Sequence, residues 1–413
     1  MNRLTKILIF TAVFLIPTYL IRFRIFGIPT NLLEILIYLS FISWLLEKQK
    51  VDWKGLFREY KIYIISISLI FLGLILSTLI NKNYQPGFGV IKGWFFDPLL
   101  FSFILIKIIK ETKDVENILK TLYFSAFAVS LVALEYFFYG HLSYDGRLRA
   151  FYDSPNYLAM FLAPAIFIGI YLLKNKREET RNKNIVIISS LIIIAFVIYL
   201  THSYSAWISI LLGLLIVESI TKKTNKKIIA ISFLIILFAF LSQLNNPKLK
   251  DISSDRSSLN SRMMIWKSSA LMLKDNFIFG IGPGNFQNKY LEYQKYFPPY
   301  LEWAVPEPHN LYLAFWLQSG IAGLSGFALL IFSWLKKTAG AIGSNQKNSP
   351  LRLDVSSSRI EARPLLAVSS GIIIYILLHG MMDTTYWKND LSFIFWIIFV
   401  LAEIQFSISK KTF

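Results

Sequence analysis

The chain has no cysteine and only four histidines in 413 residues. Without thiols there is no disulfide framework, no thiolate metal site and no cysteine nucleophile. Charge is also scarce: 16% of residues are Asp, Glu, Lys or Arg, against 55% hydrophobic and 16% aromatic. That balance excludes an ordinary soluble protein of this length. HExxH, EF-hand and paired-acid spacings are missing. "GIGPGN" (280–285) lacks the preceding strand and the Lys-Ser/Thr ending of a phosphate-cradling loop. Neither a metal nor a nucleotide is implied, and no cofactor is expected.

What the sequence has instead is long apolar runs. A membrane crossing needs roughly 20 mostly apolar residues, and about twelve stretches approach that length. They lie near 7–21, 26–46, 62–80, 89–109, 118–139, 156–173, 185–201, 206–221, 228–244, 310–335, 364–382 and 391–408. The first run carries Pro17, lacks a small-residue cleavage site and is followed closely by another span, so it reads as a helix rather than a signal peptide. The expected fold is an all-α membrane protein of about twelve transmembrane helices with one large outer-face helical loop.

The chain carries 43 Lys and Arg for a net charge of +18. Most of them fall in alternate loops, such as "EKQKVDWKGLFREYK", "KNKREETRNKN" and "KKTNKK". Under the positive-inside rule both termini are cytoplasmic, and the charge faces anionic lipid rather than nucleic acid. Residues 340–359 read as a flexible inner linker. The chain divides into helices one to nine (1–244), an outer-face segment (245–309) and helices ten to twelve (310–413). In the outer segment, "NSRMMIWKSSALMLKDN" predicts a helix capped at Asn260 or Ser261, with Arg262, Trp266 and Ser269 on one face. "GIGPGN" then stops it.

His309 follows "PEP" and precedes an apolar run, so it sits at a helix start. Two readings stand side by side: His309 and Asn310 cap the helix in the headgroup region, or His309 is a general base or phosphate donor. Arg262 is either a solvated arginine or a phosphate clamp. Arg147 and Arg149 lie before another outer helix entry, and Lys92 is close enough to an interface to snorkel. His202 falls at an outer turn, and His141 and His379 also lie near outer ends. Of the acids within spans, Glu218 and Glu403 lie near inner ends, whereas Glu34 and Glu135 are expected to face the bundle or a cavity. Tyr290, Tyr293, Tyr296, Phe297, Tyr300 and Trp303 suit either sugar stacking or interfacial anchoring.

Three segments carry a family resemblance: "RLRAFYDSPNYLAMFLAP" (147–164), "SRMMIWKSSALMLKDNFIFGIGPGNFQNKY" (261–290) and "EPHNLYLAFWLQSGIAGL" (307–324). With them the chain resembles the O-antigen ligase and Wzy-type polymerase superfamily of bacterial membrane glycosyltransferases. The resemblance implies a metal-independent transferase in the bacterial cytoplasmic membrane, working at its outer face. It moves a glycan from an undecaprenyl diphosphate carrier to an acceptor hydroxyl of a growing glycan, a lipid A-core or a protein. His309 looks like the family histidine that activates the acceptor or assists the diphosphate, and Arg262 like the loop arginine on the diphosphate. Glu307, Asn310 and Trp266, in the same segments, join the substrate-binding set. One departure stands out. Ligases of this family often have an arginine where this chain has Tyr204, in "SYSAW", so compensation by Arg149, Lys92 or His202, or altered chemistry, is implied. A transporter or flippase of the lipid-linked glycan is the rival reading, motivated by the span count and buried acids.

Overall fold

The computed structural model describes residues 3–48, 50–174, 181–221, 226–244, 257–299, 303–343 and 357–411. Among these residues the chain forms fifteen helices. In order they are α1 (Arg3–Phe14), α2 (Leu32–Leu46), α3 (Trp53–Glu59), α4 (Lys61–Ile80), α5 (Tyr84–Ile108), α6 (Thr112–Phe138), α7 (Pro155–Lys174) and α8 (Arg181–Leu200). There follow α9 (Tyr204–Thr221), α10 (Lys226–Ser242), α11 (Ser258–Asp275), α12 (Phe286–Tyr293), α13 (Leu311–Gly343), α14 (Ser357–His379) and α15 (Asn389–Lys411). Each apolar stretch of the sequence is at least partly helical. Seven helices, in α4 to α8, α13 and α15, are long and apolar enough to cross a membrane. The other expected spans hold α1 and shorter apolar stretches of helix, over Leu32–Leu46, Tyr204–Ser219, Ala230–Ser242 and Pro364–His379.

The first two expected spans differ most from expectation. Helix α1 ends at Phe14, and a 3-10 turn over Ile16–Leu20 accommodates Pro17, which has no N–H for a continuing helix. The stretch 26–46 is not one helix. Strands β1 (Arg22–Ile25) and β2 (Ile28–Asn31) pair antiparallel, with Ile25 opposite Ile28. Phe26 and Gly27 both have positive φ, as a two-residue hairpin turn demands. Helix α2 begins after it, capped by the Asn31 side chain accepting from Glu34 N at 3.0 Å. Among the described residues the fold is all-α apart from this hairpin.

Helices α7 and α15 lie at the centre of the bundle, buried along most of their length, whereas α8 and α10 turn apolar faces outward through Ile185, Ile188, Ile192, Phe233 and Phe238. Lipid solvates such faces and water does not. Helix contacts inside lipid gain little from the hydrophobic effect, so close packing has to hold them. On α4, a Cβ at Gly73 would lie 2.3 Å from Ser319 O, and on α13 a Cβ at Gly326 would lie 2.6 Å from Ser66 O.

Helix α13 is broken at Gly320 (φ 63°, ψ −170°). The glycine loop fills the break. Ile321 N donates to Ile278 O at 3.0 Å and Ile281 N donates to Leu317 O at 2.6 Å. Side-chain amides at the end of α4 hold the same loop, Asn81 to Gly280 O (3.1 Å) and Asn83 to Pro283 O (2.6 Å). "GIGPGN" therefore does more than stop α11: its backbone satisfies groups that α13 leaves open. Helix α11 itself is capped by Ser257, which accepts from Asn260 N at 3.1 Å, rather than by Asn260 or Ser261. Met264, Ile265, Met272, Phe286 and Tyr290 of the outer segment form a small apolar core with Leu317 of α13. Residues 245–256 and 300–302 of that segment, and 344–356 of the expected linker, lie outside the described residues.

Three glutamates of the bundle are paired with lysines, whereas buried Asp97 accepts from the Tyr38 hydroxyl at 2.8 Å. Glu34 takes Lys92 at 2.6 Å, Glu218 takes Lys174, and Glu403 takes Lys337 together with the Tyr63 hydroxyl at 2.8 Å. Glu135 departs from expectation. It is exposed and lies one turn from the end of α6, where a carboxylate reaches the interface instead of the interior.

Candidate functional site

Four loops meet at one end of the bundle: 139–154 after α6, 201–203 after α8, 303–310 before α13 and 380–388 after α14. The last of these is tightly built. Met382 N and Asp383 N both donate to His379 O, and Thr385 Oγ1 donates to Ile376 O at 2.7 Å. The Asp383 carboxylate is thereby fixed beneath the outer segment with a side-chain exposure of 1%.

Asp383 is the hub of the site. Its Oδ1 accepts from Thr384 N at 2.9 Å and stands 3.0 Å from His309 Nδ1. Its Oδ2 accepts from Asn156 Nδ2 at 2.8 Å and lies 3.8 Å from Arg262 Nη2. Burial alone would raise this carboxyl, but His309 and then Arg262 outweigh it and hold it well below the usual carboxylate range. An Nδ1–H donated to Asp383 leaves His309 Nε2 with its lone pair, the tautomer a general base requires. His309 retains 29% side-chain exposure and Arg262 17%, so both reach the surface of the cluster.

The backbone shows how His309 gets there. It adopts φ 47°, an unusual region for a residue with a side chain, at a typical cost of about 1–3 kcal/mol. Three contacts hold the segment. Trp266 Nε1 donates to Pro308 O at 3.1 Å, Leu311 N donates to Gly380 O at 2.7 Å, and Asn310 Nδ2 donates to Met381 O at 3.0 Å. Asn310 Oδ1 also accepts from Tyr312 N and Leu313 N, so Asn310 is the cap of α13. The two open readings of this pair thus divide: Asn310 caps, and His309 turns to Asp383.

Arg262, one turn into α11, donates from Nε to Met382 O at 3.0 Å and from Nη1 to Ser258 Oγ at 2.8 Å. Glu307 is buried and accepts from Gln318 Nε2 at 3.0 Å. Burial pushes its carboxyl up to about 8, against the pull of Lys388 and of the Gln318 hydrogen bond.

The remaining sequence candidates divide plainly. Trp266, Glu307, Asn310, Arg262 and His309 gather around Asp383. Lys92 is held by Glu34 and Pro29 O and has no contact with this cluster among the described residues. Arg149 is exposed, with Asp153 in electrostatic reach, while Arg147 turns inward. His202, at φ 48°, packs its ring beside Tyr199. Tyr204 stacks on Phe240 with centroids 5.5 Å apart and lies within electrostatic reach of Arg147. Of the aromatic candidates, Tyr290 is buried against Phe286, Tyr293 donates to Asp275, and Tyr296 and Trp303 are exposed; Tyr300 lies outside the described residues.

Asp383, Asn156 and Lys388 escaped the sequence reading. Lys388 sits 3.6 Å from the Tyr157 ring centroid and pairs with Asp153 at 2.7 Å, holding that carboxyl below its usual range. A single acid in "MMDTTYWK", 74 positions from His309, carries no local signal beyond its place in an outer loop. Among the described residues no cluster of three or more His, Asp or Glu gathers as a metal site.

No curated protein matches the chain at a significant level. Residues 189–328 match a protein-family model described as O-antigen ligase. The matched stretch holds His202, Tyr204, Arg262, Trp266, Glu307, His309 and Asn310; Asp383, Asn156 and Arg147 lie beyond it. It supports a glycosyltransferase-type role in polysaccharide biogenesis for a multi-pass membrane protein. The match over residues 189–328 supports the resemblance to the O-antigen ligase and Wzy superfamily that the chain's motifs carry.

Proposed function

We propose that the Asp383 cluster is the catalytic centre of a glycan transferase whose donor is an undecaprenyl-diphosphate-linked oligosaccharide. The acceptor hydroxyl belongs to a glycan or a lipid A-core. His309 Nε2 takes the acceptor proton as the acceptor oxygen bonds to the anomeric carbon. The bond from that carbon to the diphosphate oxygen breaks, and undecaprenyl diphosphate leaves. Charge grows on the diphosphate as it departs, and a fixed guanidinium stabilises that growth without rearrangement. Arg262 is the group so placed. In this reading the centre faces outward, both termini are cytoplasmic, and 245–309 is a catalytic loop seated on the transmembrane helices.

One observation carries the reading. His309 and Arg262 come from separate segments and share a single buried carboxylate, with the imidazole oriented through Nδ1. Helix capping alone does not require that arrangement, since Asn310 performs it. The test is reconstitution in proteoliposomes with a defined undecaprenyl-diphosphate glycan and candidate acceptors, with chain length read on a gel. A ladder identifies a polymerase and a single shift onto the acceptor a ligase. Movement of intact donor across the bilayer with no transfer would overturn the proposal in favour of a flippase.

A further inference from the structure

Asp383 has two oxygens and more than two suitors, so something must decide which cation receives which oxygen. Arg262 can take both oxygens of a carboxylate with a guanidinium fork, and here it takes neither closely, standing 3.8 Å from Oδ2. Asn156, at the start of α7, occupies that oxygen at 2.8 Å.

The Asn156 amide is itself held. Its Oδ1 accepts from Arg147 Nη2 at 2.7 Å, so the amide runs from a guanidinium to a carboxylate. The reversed amide would set NH2 against the guanidinium and C=O against the carboxylate, two repulsive contacts, so the orientation is fixed. Arg147 is anchored in turn. Its Nε donates to Thr201 O at 2.7 Å and its Nη1 lies 3.5 Å from Asp145. All three guanidinium nitrogens are engaged and the side chain is only 11% exposed. Arg262 differs in its Nη2, whose contact with Asp383 is long at 3.8 Å, whereas Arg147 gives Nη2 to Asn156 at 2.7 Å and so holds that neighbour.

We propose that Arg147 and Asn156 are positioning residues that act through Asp383. By occupying Oδ2 they reserve Oδ1 for His309 and keep the Arg262 guanidinium available to an anionic donor. Arg147 also reaches the turn that carries Tyr204, so it brings a cation to the end of α9 from a different loop. The inference rests on the catalytic reading of His309 for its kinetic consequence, but not for its structural one. The charged and titratable groups around Asp383 are Arg262 on α11, His379 and Tyr375 on α14, Tyr157 on α7, Glu307 before α13, and Arg147 itself.

With only four histidines, 15N-histidine spectra of the full chain in nanodiscs resolve His309 directly, after assignment by His309→Gln. Arg147→Ala and Asn156→Ala are expected to weaken the Nδ1–H contact in that spectrum. They should lower kcat about tenfold, the scale of one hydrogen bond to a charged group, with donor KM within about twofold. Asn156→Asp, which has no N–H to give Asp383 Oδ2, should weaken the contact as the alanines do, and Arg147→Lys should restore part of the rate. A merely structural role predicts lower stability with the His309 signal in place and kcat per folded molecule unchanged. That result, or wild-type spectra in both alanine variants, overturns the proposal. If an alanine variant does not fold, Asn156→Asp and Arg147→Lys decide by the same readouts. If the wild type transfers no glycan to any acceptor, the catalytic reading fails while the spectrum still decides the relay.

Discussion

Two sets of buried carboxylates are held differently. Inside the helices, Glu34, Glu218 and Glu403 each meet a lysine: Lys92, Lys174 and Lys337. At the loop end of the bundle, Asp383 serves His309 and Arg262 together and accepts from Asn156 and Thr384 N as well. A lysine pair cancels its own charge, and its job ends with making an acid tolerable in lipid. A carboxylate that gathers an imidazole, a guanidinium, an amide and a backbone N–H instead orients its partners toward whatever lies beside His309 and Arg262. Sequence cannot separate the cases, because in both an acid stands in or beside an apolar run.

The largest effect expected from breaking that contrast is at the hub. Asp383→Ala frees the imidazole and removes the partner of Arg262, so the transfer rate should fall by about a hundredfold or more, the scale of losing an oriented general base. Initial rates in proteoliposomes check this. A pair in the bundle should behave differently. Lys174→Met takes a cation from the buried Glu218 carboxylate and should cost about 2 kcal/mol, below the 3–5 kcal/mol of a fully buried pair because Lys174 is 39% exposed. Denaturant unfolding in detergent measures the loss, while the rate per folded molecule should stay at the wild-type level.

The smallest effect concerns Glu307. Its folded carboxyl titrates at about 8 against an ordinary 4.5, so the fold favours the protonated form. The folded state then binds more protons than the unfolded one between those values, and stability falls as pH rises through that window. Glu307→Gln keeps a hydrogen-bonding partner for Gln318 and removes the titration. Thermal unfolding from pH 5 to pH 8 should show a flatter slope in the variant and a gain of about 1–3 kcal/mol at the alkaline end. An unchanged slope would assign the pH dependence elsewhere.

Much of the helical architecture was legible because apolar runs of membrane length have few alternatives. The hairpin at 22–31 was not. Its first strand, Arg22–Ile25, falls between two expected spans and its second, Ile28–Asn31, inside the next one, and only Phe26-Gly27 marks the turn. Arg262 and His309 were legible as polar groups stranded among apolar or aromatic neighbours. Asp383 was not, because its meaning comes from contacts with residues 74 and 227 positions away. The choice of Arg149 over Arg147 shows the same limit. The two alternate along an extended segment, side chains there point to opposite sides, and sequence does not say which side faces in. Tyr204 looked like a lost cation, yet Arg147 reaches the turn beside it from another loop.

The most direct test is transfer by His309→Ala set beside Lys174→Met in the same vesicles, with donor and acceptor saturating. The account predicts that His309→Ala folds normally and loses at least a hundredfold in rate, while Lys174→Met loses stability and keeps its rate. Wild-type transfer by His309→Ala would contradict it.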